Sequence, residues 1–463
     1  MNVKRHEGHA HTANLNYGYA VFVLSLLALG VLAIRNVFRP RLRVPAWVWS
    51  GIGIVLLVLV CALHAPDSLN GVAKRLGRVT YALFPAVLLL ALRPSPLPST
   101  YYIDLIFVHK WVSRTAVVVG VLHGVLYFSH FVRKGEVGTK LFGKFVNLLG
   151  VIILALMLIM AITSLRPLRN RSYKLFYGLH YPLAWLCVVL TIFHARPGVS
   201  FLAFWCVFIL LGQIFYRIFT SRRVSLTVEP LSDTLYLVSM PRRAFPDYFT
   251  VGAHVRISRD PLWSPLTWVK PTHPYTIASL AEEGDIKLVV RSIRRLTSGS
   301  YTVLGPFASD TANGPLTGRQ VMVVAGGSGI SYAAPLVKRL SLQSTPARLI
   351  WTVRDKADIA ALEHLDVSSH VDVYVTGADS KGIDEFEIGD EEEDEGLEFQ
   401  ELLTTEGLHH GRPDYNYIAK TFFDDHDSAG NWVVACGPRA MVNDVKSWAK
   451  KRGINFSGEE YAL

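Results

Sequence analysis

Neutral imidazole is the commonest metal-ligating side chain in proteins, and this chain carries four histidines in two matched pairs. His109 and His123 lie fourteen residues apart in one apolar stretch, and His180 and His194 lie fourteen apart in another. Fourteen residues is close to four turns at ~3.6 residues per turn, so both members of a pair share one helix face. A rise of ~1.5 Å per residue separates them by about 21 Å. In a hydrocarbon layer roughly 30 Å thick, one ring of each pair lies toward each leaflet. Two such helices side by side offer four rings as two facing couples at two depths. That is a ligand set for two six-coordinate haems, one above the other. The alternative is four separate histidines hydrogen-bonded within a bundle, and identical spacing on two helices weighs against it.

The elements that must position these rings are apolar segments near Tyr17–Ile34, Ala46–Leu63, Val79–Leu92, Ile103–Phe131, Phe145–Leu165, Tyr173–His194 and Phe201–Phe219. Most are long enough to cross a bilayer; the third is the shortest and contains Pro85. The 463 residues are 51% hydrophobic with mean hydropathy +0.29, and the apolar residues crowd into the first half. A membrane half followed by a soluble half is therefore expected. The net charge of +10 fits loop Lys and Arg at membrane surfaces, and no nucleic-acid motif accompanies it. Seven spans put three basic stretches, Arg35–Arg43, Arg166–Lys174 and Arg217–Arg223, on the face that bears the soluble half. The positive-inside rule makes that face cytosolic, although Lys74, Arg75 and Arg78, and Arg133, Lys134, Lys140 and Lys144, fall on opposite-face loops. On this topology His109 and His180 lie toward the cytosol, where Lys110, Arg114, Arg169, Arg171 and Lys174 could meet haem propionates. Gly120, Gly124 and Gly178 could leave room for a flat macrocycle or serve close helix packing. His6, His9 and His11 could chelate copper or iron, but a solvated tail is the favoured reading. Cys61, Cys187, Cys206 and Cys436 form no disulfide framework.

The stretches HKWVSRTAVVVGVLHG (His109–Gly124) and YKLFYGLHYPLAWLCVVLTIFH (Tyr173–His194) resemble the two haem-bearing helices of the ferric reductase and NADPH oxidase superfamily. The resemblance implies that His109 and His180 share the cytosolic-side haem, and His123 and His194 the distal one. It covers the chain from about Ile103 onward.

After about Thr220 the pattern changes to short β-like stretches at Val224–Glu229, Leu235–Met240, His254–Ser258 and Ile286–Arg291, which suggest an antiparallel barrel. Val321–Ala325, Arg348–Val353, Val371–Thr376 and Trp432–Cys436 then read as the strands of a doubly wound α/β unit. The expected fold is a polytopic α-helical membrane domain of about seven spans, residues 1–219. A ferredoxin-reductase-like module follows, with an FAD-binding β-barrel at 220–317 and an NADPH-binding α/β domain at 318–463. The block at 379–401 is so acidic that it should be a disordered surface loop.

Three motifs carry the chemistry of the soluble half. His273-Pro274-Tyr275-Thr276, with Ser279, resembles the superfamily's flavin motif, and Arg291 and the turn Gly305-Pro306-Phe307 follow where relatives hold the flavin pyrophosphate. Gly326, Gly327, Ser328, Gly329 and Ile330 follow a strand and open a helix. Their backbone N–H groups can approach a diphosphate at a positive helix end. Arg354 closes the next strand, and a cation there pairs with a 2′-phosphate, favouring NADPH over NADH. Cys436-Gly437-Pro438 resembles the turn of ferredoxin-reductase-like domains that places a thiol beside the nicotinamide. Tyr461 resembles the terminal aromatic that covers the flavin.

The reading is a transmembrane electron relay from cytosolic NADPH through FAD and two b-type haems to ferric or cupric chelates on the far side. Superoxide production from O2 is the runner-up, and seven spans with short soluble ends look more like fungal metalloreductases than animal oxidases. A non-catalytic membrane anchor or partner subunit is the reading of a different class. The membrane is the plasma membrane or the endoplasmic reticulum, and membrane partner subunits are left open.

Overall fold

A computed structural model describes residues 2–38, 51, 53, 68–97, 100–195, 200–264, 267, 272–309, 311–367, 371–377, 407–423 and 430–461, without side-chain detail at 2–14, 35–38, 103, 104, 460 and 461. The predicted segment Ala46–Leu63, Cys61, the acidic block 379–401 and Leu463 fall outside the described residues, Gly51 and Gly53 apart. So do the side chains of His6, His9 and His11. The chain forms two compact units that divide between Phe219 and Thr220.

The first unit is helical. Its long helices are α1 (Asn2–Phe38), α2 (Leu69–Leu89), α3 (Tyr102–Arg133), α4 (Phe145–Thr163), α6 (Tyr173–His194) and α7 (Ser200–Thr220), with the short α5 (Arg166–Arg171) before α6. Among the described residues five segments are long and apolar enough to cross a membrane: Leu15–Ile34, Leu105–Arg133, Phe145–Thr163, Tyr173–His194 and Ser200–Thr220. Large apolar side chains such as Leu122, Phe128, Phe204, Phe208 and Phe219 face outward, an arrangement that suits lipid and not water.

The predicted third segment, Val79–Leu92, is only the second half of α2. The helix begins at Leu69, where the Ser68 hydroxyl accepts from Gly71 N. Lys74, Arg75 and Arg78, read above as loop residues, are therefore helical. Arg75 is buried with its guanidinium over the Tyr17 ring at 4.1 Å, and Arg78 Nη1 donates to Ala195 O at 2.8 Å. A cation–π contact and a backbone carbonyl make room for cations where hydropathy expects none. Helix α3 packs along α2 and α6 packs along α4, whereas α3 and α6 are not closely packed on each other. That leaves a slot between the two histidine-bearing helices.

The second unit has two sheets. Strands β1 (Arg222–Pro230), β2 (Leu235–Pro241), β3 (His254–Ser258), β4 (Pro274–Thr276), β5 (Asp285–Arg291) and β6 (Gly299–Phe307) form an antiparallel sheet in the order β4-β3-β6-β1-β2-β5. It encloses a core that includes Val238, Val255, Ile286 and Leu288. Gly305-Pro306, expected as a turn, instead lies within β6, whose pairing with β3 slips between His254 and Arg256. Gly305 takes φ 119°, and a Cβ there would meet His254 O at 3.0 Å, so the slip needs glycine.

The second sheet is parallel, in the order β10-β9-β8-β7-β11-β12. Its strands are β7 (Gln320–Gly326), β8 (Ala347–Val353), β9 (Val371–Val375), β10 (Leu408–His410), β11 (Asn431–Pro438) and β12 (Asn455–Tyr461). The helices between them are α8 (Ile330–Leu342), α9 (Ala360–His364), α10 (Tyr415–Phe422) and α11 (Arg439–Lys451). Buried Asp358 accepts from the Ser232 and Thr234 hydroxyls, and Ser331 Oγ bonds both N and O of Val289. These contacts tie barrel to α/β sheet.

Candidate functional site

The four histidines meet as the spacing requires. The His109 and His180 rings face each other with centroids 6.4 Å apart, and His123 and His194 do so at 6.2 Å. A metal between two imidazole nitrogens at about 2 Å each, with each nitrogen about 1.1 Å from its ring centre, would separate the ring centres by about 6.2 Å. Among the described residues no three His, Cys, Asp or Glu side chains cluster as a metal site. A bare transition metal is held by three or four protein donors. Two paired imidazoles, with no third metal-binding side chain among the described residues and with the rings of Tyr127 and Phe176 beside them at 5.0 and 5.1 Å, suit an iron that arrives with its four porphyrin nitrogens. The residues present fit the group.

Each ring is also oriented through its other nitrogen. His109 Nδ1 meets Val87 O at 3.0 Å, His123 Nδ1 meets Ala73 O at 2.7 Å, and His194 Nδ1 meets Val146 O at 2.7 Å. A carbonyl only accepts, so these three Nδ1 atoms carry protons and each Nε2 keeps its lone pair for a ligand bond. His180 Nδ1 lies 3.4 Å from Ser164 Oγ, whose own proton goes to Met160 O at 2.6 Å. The hydroxyl is thus left to accept from the imidazole.

Of the glycines expected to leave room for a macrocycle, two serve close helix packing. A Cβ on Gly124 would meet Leu154 at 2.8 Å, and one on Gly120 would meet Met157 and Thr80 at 3.4 Å. Gly178 alone has open space beside it. It stands four residues before Pro182 in α6. Lys110 and Arg114 on α3, Arg169 and Arg171 on α5, and Lys174 in the first turn of α6 are neighbours in sequence of the His109 and His180 end.

In the second unit, His273 precedes β4, and its Nε2 lies 3.1 Å from Arg294 Nη1. Pro274, Tyr275 and Thr276 form β4. Burial, which penalises phenolate, raises the Tyr275 pKa, so the phenol is a neutral donor. Ser279 is buried with its hydroxyl accepting from Lys287 N at 3.1 Å, which makes it a strut of the barrel. Arg291 ends β5 with its side chain exposed.

The remaining predicted residues gather at the carboxyl edge of the parallel sheet, where open α/β sheets bind ligands. Gly326 ends β7, Gly327–Gly329 make one tight turn, and Ile330 opens α8. Gly437 and Pro438 end β11, and Arg354 follows β8 with its side chain exposed. A Cβ on Gly326 would strike Pro438 at 2.9 Å, and one on Gly329 would collide with Cys436 O. These two glycines are needed so that two loops can approach. The Cys436 thiol is buried, and Sγ donates to Gly329 O at 3.3 Å. Burial and then the Glu459 charge push its pKa well above the usual thiol range. It is a neutral strut beneath the loop, packed inside rather than lining an open surface. The Tyr461 backbone pairs with Pro438 at the same edge, and its side chain lies outside the described set.

Sequence reading missed Trp351, which is fully buried and donates from Nε1 to Gly327 O at 3.0 Å, pinning the glycine turn. A tryptophan inside a predicted central strand needs a partner for its N–H, and that was the available signal. It also left Glu459 unused. That residue pairs in register with Cys436, its Oε2 is buried without a hydrogen-bond partner among the described residues, and burial raises its pKa to about 7.

Three family models match in series. They are a ferric reductase like transmembrane component over residues 76–191, an FAD-binding domain over 219–324 and a ferric reductase NAD binding domain over 318–450. The chain is 38% identical to the probable metalloreductase AIM14 of Yarrowia lipolytica, covering 100% of both chains. It is 32% identical to the proteins of that name from Debaryomyces hansenii, with 99% of this chain and 98% of that one covered, and from Scheffersomyces stipitis, with 99% and 97% covered. Nicotinamide-nucleotide and flavin modules on a multi-pass membrane domain make a transmembrane reductase, and the chain belongs to the ferric reductase superfamily.

Proposed function

We propose that this reductase draws electrons from NADPH on the cytosolic side, holds FAD in its barrel and two b-type haems between α3 and α6, and delivers single electrons to ferric or cupric ions across the membrane. The observation that carries the reading is the pair of facing imidazole couples at 6.4 and 6.2 Å. When bound, the flavin divides a two-electron hydride into single electrons, and iron porphyrin accepts them singly. His109 and His180 hold the cytosolic-side iron, and His123 and His194 hold the distal one. Their Nδ1 partners fix each ring for Nε2 ligation. Lys110, Arg114, Arg169, Arg171 and Lys174 supply cations for inner propionates. His273–Thr276, Arg291 and Gly305-Pro306 form the flavin side of the barrel, with Tyr461 as its aromatic cover. Gly326–Ile330 present N–H groups to the nucleotide diphosphate, and Arg354 receives the 2′-phosphate. Cys436-Gly437-Pro438 shape the floor under the nicotinamide. The basic stretches orient the soluble half toward the cytosol. A metal acceptor is favoured because the relatives that match from end to end are named metalloreductases.

The test is purified protein in lipid nanodiscs, given NADPH with and without a ferric chelate. The expected result is ferrous product and no superoxide in metal-free buffer. Superoxide without added metal would replace metal by O2 as the acceptor. A dithionite-reduced spectrum without a low-spin b-type band would remove the haem relay.

A further inference from the structure

The two imidazole couples are supported differently. At the His123 and His194 level, each ring rests on a glycine. A Cβ on Gly77 of α2 would stand 2.7 Å from His123 Cε1 and 2.8 Å from Nδ1. A Cβ on Gly150 of α4 would stand 2.5 Å from His194 Cε1 and 3.1 Å from Nδ1. The carbonyls that these rings reach belong to Ala73 and Val146, each four residues before its glycine. A helix carbonyl already accepts from the N–H four residues on. An imidazole can reach its second lone pair from the side only where the residue at that fourth position has no side chain. Two helices on opposite sides of the slot use the same device.

The other level needs no such device, because its supports are the C-terminal ends of the same two helices. Val87 lies in the last turn of α2, where Ala91 N donates to Leu88 O and leaves the Val87 carbonyl to His109. Ser164 caps the C-terminus of α4 and offers a hydroxyl to His180. The supports repeat the fourteen-residue spacing of the histidines, with Ala73 and Val87 both on α2. Carbonyls that already accept within the helix have to be reached from the side, and those of the last turn are vacant.

We propose that Gly77 and Gly150 are positioning residues, paired notches that seat the distal imidazoles on carbonyls already engaged within the helix and so fix the geometry and donor strength of one ligand couple only. The proposal rests on the haem reading above. A hydrogen bond from Nδ1 raises ligand basicity, so losing a notch alters the distal iron and spares the inner one.

The experiment compares Gly77→Ala and Gly150→Ala with Gly212→Ala, a helical glycine on α7 whose Cβ would meet nothing within 4 Å. Pyridine-haemochrome ratios, potentiometric titration and low-temperature EPR are the readouts. Each notch variant is expected to lose the distal haem, dropping from two haems per chain to one, or to keep both with one of two midpoint potentials shifted upward. Gly212→Ala keeps both haems and both potentials. Should Gly77→Ala destabilise the protein, the ring is the cause, so adding it to His123→Ala is expected to cost no further melting temperature. Unchanged ratio, potentials and g values in both notch variants would overturn the proposal. So would an equal loss of stability with and without the His123 ring. A wild-type protein with no b-type spectrum would fail the haem reading instead, and the suppression by His123→Ala would still decide whether the notch serves the ring.

Discussion

The two halves of this protein assign the work of backbone and side chain in opposite ways. In the helical unit the groups proposed to act are side chains, the imidazoles of His109, His123, His180 and His194, and the backbone holds three of them through the carbonyls of Val87, Ala73 and Val146. In the nucleotide unit the groups proposed to act are backbone N–H groups of the turn at 326–329, and side chains hold that turn: Trp351 Nε1 on Gly327 O and Cys436 Sγ on Gly329 O. A hydrocarbon solvent explains the inversion. Helices satisfy their own backbone, so only side chains can project chemistry across the slot. A parallel sheet ends in loops whose N–H groups are unclaimed, so there the backbone is the better ligand. The halves should therefore fail differently when mutated.

The largest difference is expected for His123→Ala. It removes a proposed haem ligand, so ferric reduction should fall to background. NADPH oxidation by an artificial dye that takes electrons from the flavin should stay near wild type. Equal loss of both activities would merge the halves into one unit of failure. Arg354→Ala should act only on the nucleotide side. Loss of a charge-assisted hydrogen bond worth ~1.5–3 kcal/mol weakens NADPH by about 10- to 100-fold and leaves NADH unchanged. Steady-state KM for both nucleotides checks this, and a parallel loss for NADH would remove the 2′-phosphate role. Trp351→Phe keeps the buried ring and removes one N–H. At ~1 kcal/mol for such a bond, nucleotide affinity should drop about fivefold with the haem spectrum untouched.

The smallest effect concerns Glu459. The unfolded chain releases this proton near the usual 4.5, and the folded chain holds it to about 7. Between those values the folded state binds more protons, so the residue costs stability progressively as pH rises through that window. Glu459→Gln should melt a few degrees above wild type at pH 8 and equally with it at pH 5. A melting curve that shows the same offset at both pH values would mean the carboxyl is not held protonated.

The same inversion decided what could be read in advance. Four identical side chains at helical spacing are visible in a string of letters, and the ring pairs came out as expected. The strands at Val321–Ala325, Arg348–Val353 and Trp432–Cys436 were legible because buried parallel strands are continuous apolar runs. Helix α2 was half missed because Lys74, Arg75 and Arg78 break its hydropathy, and their partners, Tyr17 and Ala195, are remote in sequence. Gly305-Pro306 spells a turn locally, yet β3 draws it into a strand. The backbone supports left almost no trace, since any residue has a carbonyl. Gly77 and Gly150 are the marks that remain, and an isolated glycine in an apolar helix has several readings until its neighbour is known.

Iron held between α3 and α6 is the centre of the proposed relay, and haem stoichiometry is its sharpest test. Wild-type protein and the four single histidine-to-alanine variants would be purified and assayed for haem per chain by pyridine haemochrome, with low-spin EPR signals recorded in parallel. Two haems are expected in wild type and one in each variant. His109→Ala and His180→Ala should lose one shared signal, and His123→Ala and His194→Ala the other. Absence of haem from wild type, or loss patterns that group His109 with His123, would contradict it.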